Sequence, residues 1–204
     1  MSGRPETLEY DGELYDTLSK RFLDSSYLSQ FSNEIRNDKT RELIARSVIQ
    51  VFSLTPKSFE PKFSELCDCL VKSGMIVPTE AELFKRIGDA YIRADENQAR
   101  ALLGELEKLS ASSEFVRTLQ QNSAPAQSES ERKERRRIWQ YIGGVIGMLI
   151  GGALGGWSGA GLGYKLGSDL AGIIYDDVTS QNRPTSNVRA GPNGEPCTVP
   201  VWSF

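Results

Sequence analysis

The sequence predicts an all-α protein: a soluble N-terminal helical bundle, then a glycine-rich helical hairpin and an irregular tail. Three observations carry that expectation. Apolar residues recur at three- and four-residue spacing through the first 121 positions, and no stretch alternates with period two for long enough to make a sheet. Helix start and stop signals punctuate the same region. Residues 138–164 contain no charge, yet glycine stands at every fourth position from Gly143 to Gly167.

Composition narrows the function classes. There are 24 basic and 27 acidic residues, a net charge of -3, so no bulk basicity points to nucleic acid. The absence of histidine removes the usual general base and the commonest metal ligand. Cys67, Cys69 and Cys197 are too sparse for a disulfide framework and fit a reducing compartment. Cys67 and Cys69 read as small buried residues, since a metal site would need more partners. No metal and no cofactor is expected. The start, MSGRPETLEYDGELYD, is polar and acidic, which is not a signal peptide, so the N-terminal domain is expected to be cytoplasmic.

Residues 1–121 are expected to form the helical bundle domain. Leu14, Leu18 and Phe22 mark a first stripe, and Tyr27, Leu28, Phe31 and Ile35 a second. Asn37 and Asp38 can cap a third helix, with Ile44, Val48, Val51 and Phe52 facing inward. Thr55-Pro56 starts a fourth, and Pro61 is expected to restart it, carrying Phe63, Leu66, Leu70 and Val71 until Gly74 stops it. Thr79 with Glu82 makes a capping-box pattern ahead of Leu83, Phe84, Ile87 and Tyr91. Asp95 with Gln98 repeats it before Leu102, Leu103, Leu106 and Leu109, and a last short helix holds Phe115, Val116 and Leu119. Phe84, Ile87, Gly88 and Tyr91 resemble the first helix of a tetratricopeptide repeat. Arg100 and Gly104 break the pattern in the next helix and no second copy follows, so ordinary amphipathic packing is the reading.

Residues 122–137 read as a polar and basic linker: NSAPAQSES has too little apolar surface to fold alone, and ERKERRR follows it. The basic run lacks interleaved stacking aromatics, so no nucleic acid is expected. Arg135, Arg136 and Arg137 stand directly before Trp139 and Tyr141, and these before an apolar stretch. Basic, then aromatic, then apolar is the order found where a chain crosses into a membrane.

Residues 138–175 are therefore expected to be the membrane segment. Gly143, Gly147, Gly151, Gly155, Gly159, Gly163 and Gly167 form one row, and twelve of the nineteen glycines lie between Gly143 and Gly172. Collagen needs a period of three, and a linker would carry polar residues rather than Ile, Leu, Val, Met and Trp. In lipid the backbone must satisfy itself, which enforces a helix despite poor propensity. Small residues four apart then let helix backbones approach closely, favouring crossed partners because 3.6 does not divide four. In a soluble core, glycine would give the helix little to bury. One straight helix from 138 to 175 would be roughly 57 Å long against a bilayer core of about 30 Å. Two spans, 138–156 and 158–175, are each about 27 to 28 Å, with the turn near Gly155-Gly156-Trp157-Ser158-Gly159 and Trp157 at the far interface. A single long helix in an oligomer, or one span with a protruding helix, remains the alternative, because the row runs unbroken through the turn. Lys165 and Asp169, four apart, can pair with each other. With Ser168 they are the candidate pore-lining residues, or else a surface bridge at or outside the interface.

This glycine row resembles the glycine-zipper membrane hairpins of bacterial envelope proteins, pore-forming secreted effectors and small membrane toxins. It covers about a fifth of the chain. A soluble helical unit followed by a late zipper resembles pore-forming toxins delivered between bacteria. The resemblance implies secretion into a target cell and a chaperone or immunity-type protein partner that keeps the protein soluble. The tail, 176–204, is rich in Pro, Gly, Asn and Ser, and its ending Val199-Pro-Val-Trp-Ser-Phe204 is apolar enough to dock on the domain or on a partner.

The expected function is a membrane-inserting, pore- or channel-forming protein acting as a homo-oligomer on a lipid bilayer. The alternative is a membrane-anchored adaptor whose zipper only dimerises it. No nucleophile elbow, P-loop, dinucleotide fingerprint or metal spacing supports an enzyme.

Overall fold

A computed structural model describes residues 8–109, 113–122 and 131–181. The side chain of Leu119, the segment 123–130 and the tail 182–204, with Cys197 and the apolar ending, lie outside the described residues. Among the described residues eight helices follow in order: α1 Gly12–Phe22, α2 Ser25–Ser29, α3 Asp38–Phe52, α4 Pro56–Lys72, α5 Pro78–Arg93, α6 Glu96–Leu109, α7 Glu114–Asn122 and α8 Glu131–Gln181. The protein is all-α; no strand occurs among the described residues beyond an isolated bridge between Tyr10 and Leu54.

The helix starts follow local chemistry. Asp11 accepts from the Leu14 N–H at 3.0 Å, Asn37 from Thr40 at 3.2 Å and Asp95 from Gln98 at 2.9 Å, each satisfying a donor that the first turn leaves unpaired. Gly74, at φ 72, ends α4 in the left-handed conformation that glycine adopts without strain.

Three local expectations are corrected. The start of α5 falls two residues early: Pro78 opens the helix, and Glu80 accepts from the Val77 N–H at 2.9 Å, which is half of a capping box, since the valine at the cap has no acceptor to complete it. Proline suits the first turn, where no N–H partner is needed, so it sets the start ahead of Thr79. Pro61 does not restart α4 but lies inside one continuous helix. Its missing N–H forfeits the one ladder bond to the Lys57 carbonyl, and the eleven residues that follow continue α4 beyond it. The second stripe is helical only to Ser29. Phe31 and Ile35 follow in tight turns, with bonds such as Phe31 N–H to Leu28 O at 3.2 Å, yet both are buried. The buried Arg41 guanidinium stabilises that turn, donating to the Ile35 carbonyl and pairing with Asp38.

One apolar core runs through the molecule. Phe22, Ile44, Ile49, Phe84, Leu102 and Phe115 belong to it, and so do Ile142, Val145, Ile146, Leu149, Leu162, Leu166 and Leu170 of α8. Of all the helices, α3 packs most extensively along α8, with α4, α5, α6 and α7 also touching it. The expectation that a glycine helix has little to bury in a soluble core is thus overturned. The residues between the glycines are large and apolar and join the core shared with the N-terminal helices, while Gly143, Gly147, Gly151, Gly163 and Gly167 face within α8 itself.

Gly88 shows how the tetratricopeptide-like pattern is used. A Cβ there would lie 2.5 Å from the Phe63 ring, so the glycine seats α4 against α5. This is pairwise helix packing.

Candidate functional site: the glycine-paired arms

α8 is helical except at two consecutive residues, Gly155 (φ -134, ψ 16) and Gly156 (φ 58, ψ -148). The Gly156 conformation is essentially reserved for glycine. There the chain reverses, and residues 131–154 and 157–181 pack antiparallel as two arms. The reversal is read from the glycine contacts. A Cβ on Gly147 would lie 2.1 Å from the Gly163 carbonyl oxygen, and one on Gly163 would lie 2.0 Å from the Gly147 oxygen. Gly143 faces Gly167 and Gly151 faces Gly159 with the same reciprocal closeness.

The three pairs are symmetric about Gly155. A four-residue spacing that continues through the turn is the condition for two such rows to meet face to face. The unbroken register is therefore a property of two arms folded on one another. Close approach persists over all three pairs, about 12 Å of each helix axis. In each pair a glycine α-hydrogen points towards the opposing carbonyl, an arrangement common where helices touch. Gly155, the centre of the row, has no glycine partner: its absent side chain faces Ile44 Cδ1 at 3.1 Å, on α3.

Glycines outside the row accommodate side chains. Gly144 accepts the Tyr164 ring, Gly152 the Met75 thioether and Gly172 the Gln140 side chain. Met75 comes from the loop after α4, so the arms are keyed to the N-terminal helices as well as to each other.

Lys165, Ser168 and Asp169 are brought together along the wall of one open cavity of about 500 Å³, facing Tyr27, Gln30 and Phe31. The expected Lys165–Asp169 pair is corrected. Lys165 Nζ pairs with Glu34 Oε1 at 3.3 Å and lies 5.4 Å from the Phe31 ring centre, while Asp169 Oδ2 accepts from the Tyr27 hydroxyl at 2.9 Å. Both side chains turn outward to partners on the N-terminal unit that sequence spacing alone does not reveal. Burial, and secondly the neighbouring Asp169 carboxylate, push the Tyr27 hydroxyl well above the usual phenol range.

The basic and aromatic flank lies at the open end of the arms. Residues 131–137 are the first turns of α8. Arg136 bridges the arms through Asp176, Nε to Oδ2 at 2.9 Å. Arg135 lies 3.6 Å from Glu96, and Glu134 pairs with Arg100 of α6. Arg137 takes part in interactions too. Trp139 stands edge-on to Tyr91 with centroids 6.1 Å apart, and Tyr141 to Tyr164 at 6.5 Å. Trp157 is at the other end, beside the turn, 6.2 Å from Phe115 and 46% exposed. The residues named as membrane-interface candidates thus fall at the two ends of one hairpin.

Cys67 is buried, as expected, and burial pushes its thiol up to about 12. Cys69 is instead exposed, because two residues turn a helix by roughly 200°. No cluster of metal-ligating side chains is found among the described residues.

Among the described residues one helical stretch, Lys133–Asp177, taken across its turn, is by length and composition long and apolar enough to cross a membrane, and 61% of its most apolar window is buried within the fold. The residues that sequence reading missed are the ones that receive the hairpin: Tyr27, Glu34, Ile44, Met75 and Phe115. Tyr27, Ile44 and Phe115 carried a signal as members of apolar stripes, but none that pointed to the hairpin; Glu34 and Met75 carried none. Comparisons with protein-family models, curated proteins and solved structures find no match to this chain.

Proposed function

We propose that this protein is a membrane-inserting, pore- or channel-forming protein whose N-terminal helices hold the inserting hairpin in a water-soluble arrangement. One observation carries the reading: an uncharged stretch, residues 138–164, is folded into two arms closed on each other by glycine. Such a pair satisfies its own backbone groups and brings its own tight helix contact, the two requirements for residence in lipid. Inside their charged ends the arms, 138–154 and 157–175, are roughly 26 and 29 Å long, near the thickness of a bilayer core, about 30 Å.

The N-terminal helices then act as a removable cover, with α3 the main one. Leaving it exposes Ile142, Val145, Ile146 and Leu149 to lipid or to further copies. Because the glycine faces are used up between the arms, homo-oligomer contacts would form through these outer faces. Lys165, Ser168 and Asp169 would supply the polar wall of a conduit. In this reading the N-terminal unit is cytoplasmic where the protein is made. Delivery to a target cell, with a chaperone or immunity-type partner, follows from the glycine-zipper resemblance.

The test is leakage. Full-length protein is expected to release small ions from phospholipid vesicles, and Asp169→Ala to change the cation-to-anion preference of the released ions. Binding to vesicles with no release would replace the pore by a membrane-anchored adaptor. Unchanged selectivity would place Asp169 outside the ion path.

A further inference from the structure

We infer that the turn of the hairpin, residues 153–158, is the surface that first meets a lipid bilayer, so that the hairpin enters turn first. This deepens the membrane-inserting reading and rests on it.

Three features of the turn point to lipid. Leu154 and Trp157 are 41% and 46% exposed, although nearly every other large apolar side chain of the arms is buried or half-buried. Ala153 and Leu154 continue into an apolar groove of about 460 Å³ walled by Val51, Leu54, Phe63 and Leu66. Neither arm carries a charge until Arg137 on one side and Lys165 on the other. An exposed tryptophan at the end of an uncharged helix pair has the amphipathic ring that settles at a membrane surface.

The polarity of the hairpin selects the direction. Its open end carries nine charged residues, the seven of 131–137 together with Asp176 and Asp177. Entry by that end would draw all nine into hydrocarbon, where each is strongly disfavoured, whereas Lys165 and Asp169 enter with the arms in either direction and do not distinguish the two. Entry by the turn leaves them in the near headgroup layer. Since the six residues of the turn hold no charge, attraction to the bilayer there is apolar and does not depend on screening by salt.

The experiment uses the full chain with Trp139→Phe and Trp202→Phe, leaving Trp157 as the sole indole. The vesicles are equimolar phosphatidylcholine and phosphatidylglycerol with bromine on the acyl chains. Trp157 emission is expected to be quenched, with binding unchanged by 1 M salt, roughly a 3 Å screening length. Leu154→Glu and Trp157→Glu, made separately, are each expected to weaken vesicle binding by about tenfold or more, since each side chain gives up its apolar burial. Circular dichroism checks that each variant remains folded, and Leu154→Glu, which leaves the Trp157–Phe115 contact in place, keeps the test valid if Trp157→Glu does not fold. If the unsubstituted protein releases ions while Trp157 stays unquenched and both variants bind normally, the turn is not the contact and the membrane function survives. If the unsubstituted protein neither binds nor releases ions, both proposals fall. Binding lost in 1 M salt would assign the contact to the basic end instead.

Discussion

Replacing Gly163 by alanine adds one methyl group, and the structure says where it goes. Its carbon would lie 2.0 Å from the Gly147 carbonyl oxygen and 2.8 Å from that carbonyl carbon. A carbon and a carbonyl oxygen approach comfortably to about 3.3 Å, so the arms must part by roughly 1.3 Å. The obstructing atoms are backbone, and no rotamer change relieves them. Overpacking costs about 1 to 3 kcal/mol, and a backbone clash belongs at the upper end. Alanine also returns about 1 kcal/mol of helix propensity, which leaves a net loss of about 2 kcal/mol. Gly161, on the same arm, is the internal control: a Cβ there meets nothing within 4 Å. Gly161→Ala should therefore stabilise the protein by about 1 kcal/mol. At about 2 to 4 °C per kcal/mol for a chain of this size, thermal melting should show Gly163→Ala lowered by about 4 to 8 °C and Gly161→Ala raised by about 2 to 4 °C. If Gly163→Ala melts at or above the unsubstituted protein, the paired arms are wrong, and the argument built on them with it.

Gly156→Ala meets no atom within 4 Å, yet its backbone, at φ 58, strains any side chain. Melting should fall by an amount equivalent to about 1 to 3 kcal/mol, and an unchanged melt would mean the turn is placed elsewhere. In a Cys197→Ser background at pH 8, a thiol-alkylating reagent should modify Cys69 quickly and Cys67 only on unfolding, measured by peptide mass spectrometry. Equal rates would contradict the burial of Cys67. Because burial raises the Cys67 thiol from 9.0 to about 12, the native state holds its proton where the unfolded state has lost it. Stability should therefore decline as pH rises through that window, and Cys67→Ala should flatten the decline seen in alkaline denaturation curves.

Much of the architecture is local and was legible. Helical spacing, the caps at Asn37 and Asp95, and the stop at Gly74 follow from side chains acting within one turn of their own backbone. The boundaries that failed did so where two signals competed: Pro78 against Thr79 at the start of α5, and apolar spacing against tight turns after Ser29. The candidate polar trio was recognised as a group, because one helix face brings Lys165, Ser168 and Asp169 together. Their partners were not, because Tyr27 and Glu34 are more than a hundred positions away in the chain.

The seven-glycine row alone determined that something must approach this helix at backbone distance, since no other composition leaves so continuous a gap. It also determined that nothing charged interrupts residues 138–164. Which backbone fills the gap was decided by tertiary structure. Gly155 and Gly156 reverse the chain, and a period of four on both sides of one centre makes each glycine face its mirror position. Helix spacing describes one helix at a time. Contact between two helices depends on where the turn falls, and burial of the outer faces depends on α3 and its neighbours lying alongside.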